Sequence, residues 1–91
     1  MRARAKHLLV EDENLCLELK KKIEDGESFD DIARQYSKCP SGQQGGDLGE
    51  FSRGQMVPKF DEVVFTEEVG KVHGPVETTF GFHLIEITSR A

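Results

Sequence analysis

Ninety-one residues, 36% hydrophobic and 32% charged, suit a single compact domain over residues 1–91 with a solvated exterior. A net charge of −5 argues against nucleic-acid binding, which needs a basic patch, and no apolar run approaches the roughly 20 residues of a membrane span. The opening MRARAKHLLV has no signal-peptide core, and Cys16 and Cys39 share no CxxC or metal-like spacing, so a cytosolic chain with two reduced thiols is expected.

Residues 5–10, AKHLLV, alternate and end apolar, which predicts a first strand. A helix follows over about residues 12–25. Asp12 or Asn14 can cap it, Leu15, Leu19 and Ile23 form an i, i+4, i+8 stripe, and Gly26 stops it. Lys20, Lys21 and Lys22 fall in its last turns, where cations suit the helix dipole better than they suggest a ligand site.

The second helix is clearer. Ser28 with Asp31 approximates a capping box, and Phe29, Ile32, Ala33 and Tyr36 follow i, i+3, i+4, i+7 spacing. Pro40 disfavours helical geometry at Cys39, which places the helix end near Ser37 or Lys38. A short strand over residues 48–52 comes next. Pro58 then stands near the start of a third helix carrying Phe60, Val63 and Val64. Residues 72–78 and 82–89 read as two strands joined by the turn Thr79, Phe80, Gly81. The sum is an α+β fold with a mainly antiparallel sheet.

The segment GQQGGDLGEFSRGQMVPKF sets glycines among bulky apolar residues. A phosphate cradle would need a following Lys-Ser/Thr pair, and here Asp47 follows Gly45 and Gly46 instead. Gly42, Gly45, Gly46 and Gly49 are better read as left-handed turns and close backbone approaches. Such turns would let Leu48, Phe51, Met56 and Phe60 converge on one concave apolar spot, although spacing alone equally allows ordinary core.

His7 lies mid-strand and His83 lies in the last strand, where the two can face each other with Thr78 in a hydrogen-bonded network. Cys39 can overhang the same face. A zinc site from His7, His83 and Cys39 lacks any local ligand pair, so a Cys–His nucleophile pair is the stronger rival.

CPSGQQGGDLGEFSRGQMVPKFDEVVF, followed by GPVETTFGFHLIEI and preceded by AKHLLV, resembles the parvulin family of peptidyl-prolyl cis/trans isomerases, and in particular its small free-standing prokaryotic members. The resemblance implies a four-stranded antiparallel sheet wrapped by about four helices. It also implies a monomer that isomerises Xaa–Pro bonds in peptides and in unfolded or nascent proteins, with no cofactor, metal, membrane or nucleic acid. By position it assigns His7, Cys39, Thr78 and His83 to the catalytic network. Leu48, Met56 and Phe60 match the proline pocket, with Gln55 and Phe51 beside it and Phe80 and Phe82 flanking its rim.

Two departures from the family pattern bear on specificity. Phosphate-selective parvulins carry a basic loop after the first strand, whereas here Glu11, Asp12 and Glu13 follow it. Gln43 and Gln44 stand where relatives often carry Lys or Arg. A general isomerase without phosphate selectivity is expected. The rival readings are a peptide-binding chaperone module with negligible turnover and, behind it, a Cys39/His83 thiol hydrolase.

Overall fold

Capping side chains set the helix starts. In the computed structural model, which describes residues 2–91, Asp12 accepts a hydrogen bond from the Asn14 N–H and opens α1 (Glu13–Glu24). Ser28 accepts from the Asp31 N–H and opens α2 (Phe29–Tyr36). The capping box is only half formed, because the Asp31 carboxylate pairs with Arg34 at 3.1 Å. Pro58 occupies the first turn of α3 (Pro58–Thr66), where its missing N–H costs nothing.

The strands are β1 (Arg2–Val10), β2 (Asp47–Ser52), β3 (Val72–Thr78) and β4 (Gly81–Arg90). They pair antiparallel throughout in the order β2-β1-β4-β3. The family-like α+β architecture is present, with three α-helices and one 3₁₀ turn (Pro40–Gln44) among the described residues. β1 starts earlier than the apolar pattern suggests, because Arg2 and Ala91 exchange backbone hydrogen bonds across the sheet end at 3.0 and 2.8 Å. Pro75 falls in β3, an edge strand, where the ladder tolerates a missing donor. Lys20 does more than complement the helix dipole: its Nζ donates to the Gly74 carbonyl and ties α1 to that edge.

Alternation along β1 and β4 gives the sheet two apolar faces. Leu8, Val10 and Leu84 pack with Cys16, Leu19, Phe29, Ile32 and Ala33 under α1 and α2. Ala3, Ala5, Ile85 and Ile87 pack with Phe51, Phe60, Val64 and Phe65 under α3. His7 and His83 interrupt the second face, and a cavity opens there.

The glycines shape that opening. Gly46 has φ +82°, and a Cβ there would run into the His7 carbonyl oxygen. The His7 N–H donates to the Gly46 carbonyl at 3.0 Å, and the Gly46 N–H donates to Ser41 O at 2.8 Å. The 3₁₀ turn is thus folded back onto the His7 strand. Gly42 differs from the left-handed expectation: it has no positive φ, and is glycine because a Cβ would lie 2.9 Å from Ala33 O in α2.

Candidate active site

A cavity of about 350 Å³ opens on the α3 face of the sheet. Leu48 from β2, Met56 and Val57 from the loop before α3, and Phe60 from α3 make one wall. Leu9, Lys38, Cys39, Pro40 and Phe80 complete the rest of the lining with the two histidines. His7 and His83 also line it, at 7% and 5% exposure. Phe60, 3% exposed, sets its ring edge-on to both imidazoles, at 5.5 Å from His7 and 6.1 Å from His83.

The polar groups join into one chain. Ser41 Oγ donates to Cys39 Sγ at 3.4 Å and lies 3.1 Å from His7 Nε2. Having spent its proton on sulfur, the hydroxyl must accept from His7, which is therefore the Nε2–H tautomer with a bare Nδ1. His83 Nδ1 lies 3.3 Å from that atom and must carry the proton between them. His83 Nε2 is then bare and accepts from the Thr78 hydroxyl at 2.8 Å, while Thr78 Oγ1 accepts from the Phe80 N–H at 3.2 Å. With both rings neutral, each of the four side-chain groups from Thr78 to Ser41 gives one hydrogen bond onward and accepts one from behind.

A second proton on His7 would break this order, because two Nδ1–H donors would then face each other, and one on His83 would set an Nε2–H against the Thr78 hydroxyl that now donates to it. Burial, reinforced by the neighbouring His83, pushes the His7 pKa down to about 4. Burial likewise lowers that of His83.

The loop carrying Met56 is pinned from below. The buried Asp61 carboxylate accepts the Gly54 N–H at 2.7 Å and lies 3.7 Å from Arg53 Nε. Arg53 itself covers the Phe65 ring at 5.7 Å. Gln55 Oε1 accepts the Ser52 N–H at 2.5 Å and closes the turn.

Of the residues the sequence singled out, His7, His83, Cys39, Leu48, Met56, Phe60 and Phe80 line the cavity, and Thr78 reaches it through His83. Phe51 does not line it: buried at 6.5 Å from Phe60, it supports that ring from the core. Gln55 is exposed and committed to Ser52, and is not part of the lining. Phe82 is not at the rim either. It neighbours His83 in β4, so the pleat turns it to the opposite face, against the α1 and α2 cluster. Cys39 makes no direct hydrogen bond to a histidine, because Ser41 stands between.

Leu9, Lys38, Pro40, Ser41, Val57 and Asp61 were not assigned to the site from the sequence. Leu9 was recoverable, being two residues along the strand from His7 and so on the same face. Ser41 was not, because its approach to His7 depends on the 3₁₀ turn.

The family model described as "Rotamase: PPIC-type PPIASE domain" matches residues 6–89. The chain belongs to this family, the PPIC-type peptidyl-prolyl isomerase domains. It is 44% identical over 88 residues to the foldase protein PrsA of Geobacillus kaustophilus, covering 96% of this chain and 31% of that protein. The curated relatives first matched are all longer, and the chain spans about a third of their length. Among solved structures, PrsA from Bacillus subtilis superposes with a TM-score of 0.92 at 41% identity, covering 98% of this chain and 35% of that one. NmPin, the parvulin of Nitrosopumilus maritimus, superposes at 0.88 with 31% identity, covering 97% of this chain and 96% of that one.

Proposed function

We propose that the chain catalyses cis/trans isomerisation of Xaa–Pro bonds in peptides and unfolded proteins, without covalent chemistry. The observation that carries this reading is the apolar cavity of Leu48, Met56 and Phe60 beside two buried histidines with depressed pKa values. The proline ring is held by those walls while the preceding carbonyl turns.

Rotation about the peptide bond faces a barrier of roughly 18–20 kcal/mol, because the C–N bond has partial double-bond character. Bringing exchange from tens of seconds to below a millisecond requires about 6 kcal/mol of selective transition-state binding. The twisted amide has lost conjugation, so its carbonyl is less polar and sits better among apolar side chains than the planar form does. Cys39 accepts from Ser41 and keeps its own S–H for the moving carbonyl, a weak donor at the cavity wall. The histidines act by orienting Ser41 and by keeping the cavity free of charge.

Absence of phosphate selectivity belongs to the same proposal. It rests on exposed Glu11, Asp12 and Glu13, which directly follow the strand carrying Leu9, and on a cavity lining whose one Lys or Arg, among the described residues, is Lys38. A monomeric cytosolic protein is also proposed. Support comes from the unbridged Cys16 and Cys39, and from the scarcity of exposed large apolar side chains away from the cavity, which among the described residues are Leu17 and Val69 alone.

The reading is tested by refolding a protein whose slow phase is a prolyl isomerisation. An isomerase shortens that phase in proportion to its concentration. A binding module raises the yield and leaves the rate alone, and that outcome would refute the proposal.

A further inference from the structure

A second depression of about 470 Å³ adjoins the cavity, lined by Val57, Pro58, Lys59, Glu77, Thr78 and Thr79. Val57 belongs to both hollows and forms the ridge between them. It is 41% exposed, and Phe80, next in sequence to Thr79, is 65% exposed. These are two of the four large apolar side chains most exposed among the described residues. Uncovered apolar surface is therefore concentrated where the two hollows meet.

The rim chemistry narrows the occupant. Lys59 and Glu77 are exposed, have opposite charge, and form no ion pair among the described residues. A rim with one charge of each sign favours neither acidic nor basic ligands, which leaves the apolar contributions of Val57, Pro58 and the threonine methyls to select. The direction of the chain follows from Cys39 and Lys38, which line the cavity and not the depression. With the carbonyl before proline set against Cys39, the residues after proline leave over Val57. An extended chain advances about 3.3 Å per residue, so the adjoining hollow receives a side chain one to three positions on.

We propose that the substrate site continues over Val57 into this depression, which holds an apolar side chain of the substrate polypeptide in the first three positions after proline. The inference rests on the isomerase reading and adds a second determinant of specificity to it.

The test is an exchange-NMR series on blocked peptides with Phe, Gly or Asp at each of those three positions, and a matching series before proline. Phe after proline is expected to raise kcat/KM about fivefold to tenfold over Gly, chiefly through KM, the size typical of an open apolar subsite. Thr79→Asp, which places a charge in the depression alone, should reduce that ratio to about twofold or less. In the parent, amide shifts of Lys59, Glu77 and Thr79 should move with the Phe peptide and not with the Gly peptide, a readout that needs no variant to fold. Equal turnover of Phe and Gly peptides, a preference unaffected in folded Thr79→Asp, or unmoved amides would overturn the subsite and leave the isomerase reading standing. A folded parent that turns over no peptide at all would remove both.

Discussion

The imidazoles of His7 and His83 lie nearly parallel, 5.5 Å between centroids, with their Nδ1 atoms 3.3 Å apart. They are diagonal neighbours: His7 stands opposite Ile85 and His83 opposite Leu9. One shared proton between two neutral rings is the arrangement their burial permits.

This pair makes stability depend on pH in a defined direction. Both folded pKa values lie below the unfolded value of about 6.5, so the unfolded state binds more protons as the solution is acidified. The stabilisation is complete above about pH 6.5 and is lost as pH falls toward about 4, with the His7 share on the order of 3 kcal/mol. Urea unfolding from pH 7 to 4 should show a shallower acid decline in His7→Leu than in the parent. The variant should also be 1–3 kcal/mol less stable at pH 7, roughly the cost of leaving the His83 Nδ1–H unpaired. Identical acid declines would mean that the histidines titrate as if in water.

Cys39 touches the histidines only through Ser41. A nucleophile would need a base in direct contact, so Cys39→Ser should keep turnover within about tenfold of the parent, where loss of a true nucleophile removes several orders of magnitude. Steady-state rates with an Ala-Pro peptide decide this. An activity collapse beyond a thousandfold in the folded variant, or a trapped acyl-enzyme, would restore covalent chemistry.

Asp61 lies outside the cavity lining, yet it governs the wall. Its carboxylate holds the Gly54 N–H two residues before Met56. Asp61→Ala should cost about 1–3 kcal/mol, the usual range for losing a hydrogen bond to a charged group, here the part-buried one from the Gly54 N–H. It should raise KM more than it lowers kcat, because Met56 is displaced and the network is untouched. Proportional losses in a variant whose histidine resonances also shift would place Asp61 in the network instead.

Phosphorylating a Ser before the substrate proline should leave kcat/KM unchanged or lower it, given Glu11, Asp12 and Glu13 beyond β1. A tenfold gain in low salt, abolished by Lys38→Ala, would show that Lys38 outweighs the three carboxylates.

The fold was legible in the sequence wherever one periodicity dominated. α2 announced itself through Phe29, Ile32, Ala33 and Tyr36, and the β3–β4 hairpin through Gly81 and the β-branched residues around it. The 3₁₀ turn carried no such signal, since Pro-Ser-Gly-Gln-Gln has no apolar face, and its shape comes from contact with α2 and His7. The same limit explains the site. Residues placed by strand alternation or by the loop motif, such as His83 and Met56, were readable from spacing together with the family pattern. Phe82 was misplaced because adjacency in sequence stood in for adjacency in space, which the pleat forbids. Asp61 has no neighbour in the sequence that marks it, and only the fold of the Arg53–Gly54 turn onto α3 gives it a partner.

The central claim is that the apolar cavity lowers the barrier to Xaa–Pro rotation. Exchange spectroscopy on a proline tetrapeptide with substoichiometric protein measures this directly, for the parent and for Leu48→Ala combined with Met56→Ala, two half-buried walls whose loss leaves the Phe60 core in place. The expected result is cis/trans exchange that accelerates in proportion to parent concentration, from tens of seconds uncatalysed to well under a second, and falls at least about tenfold in the folded double variant, about 1.4 kcal/mol of lost transition-state binding. Exchange that stays at the uncatalysed rate with folded parent, or catalysis undiminished in the double variant, would contradict it.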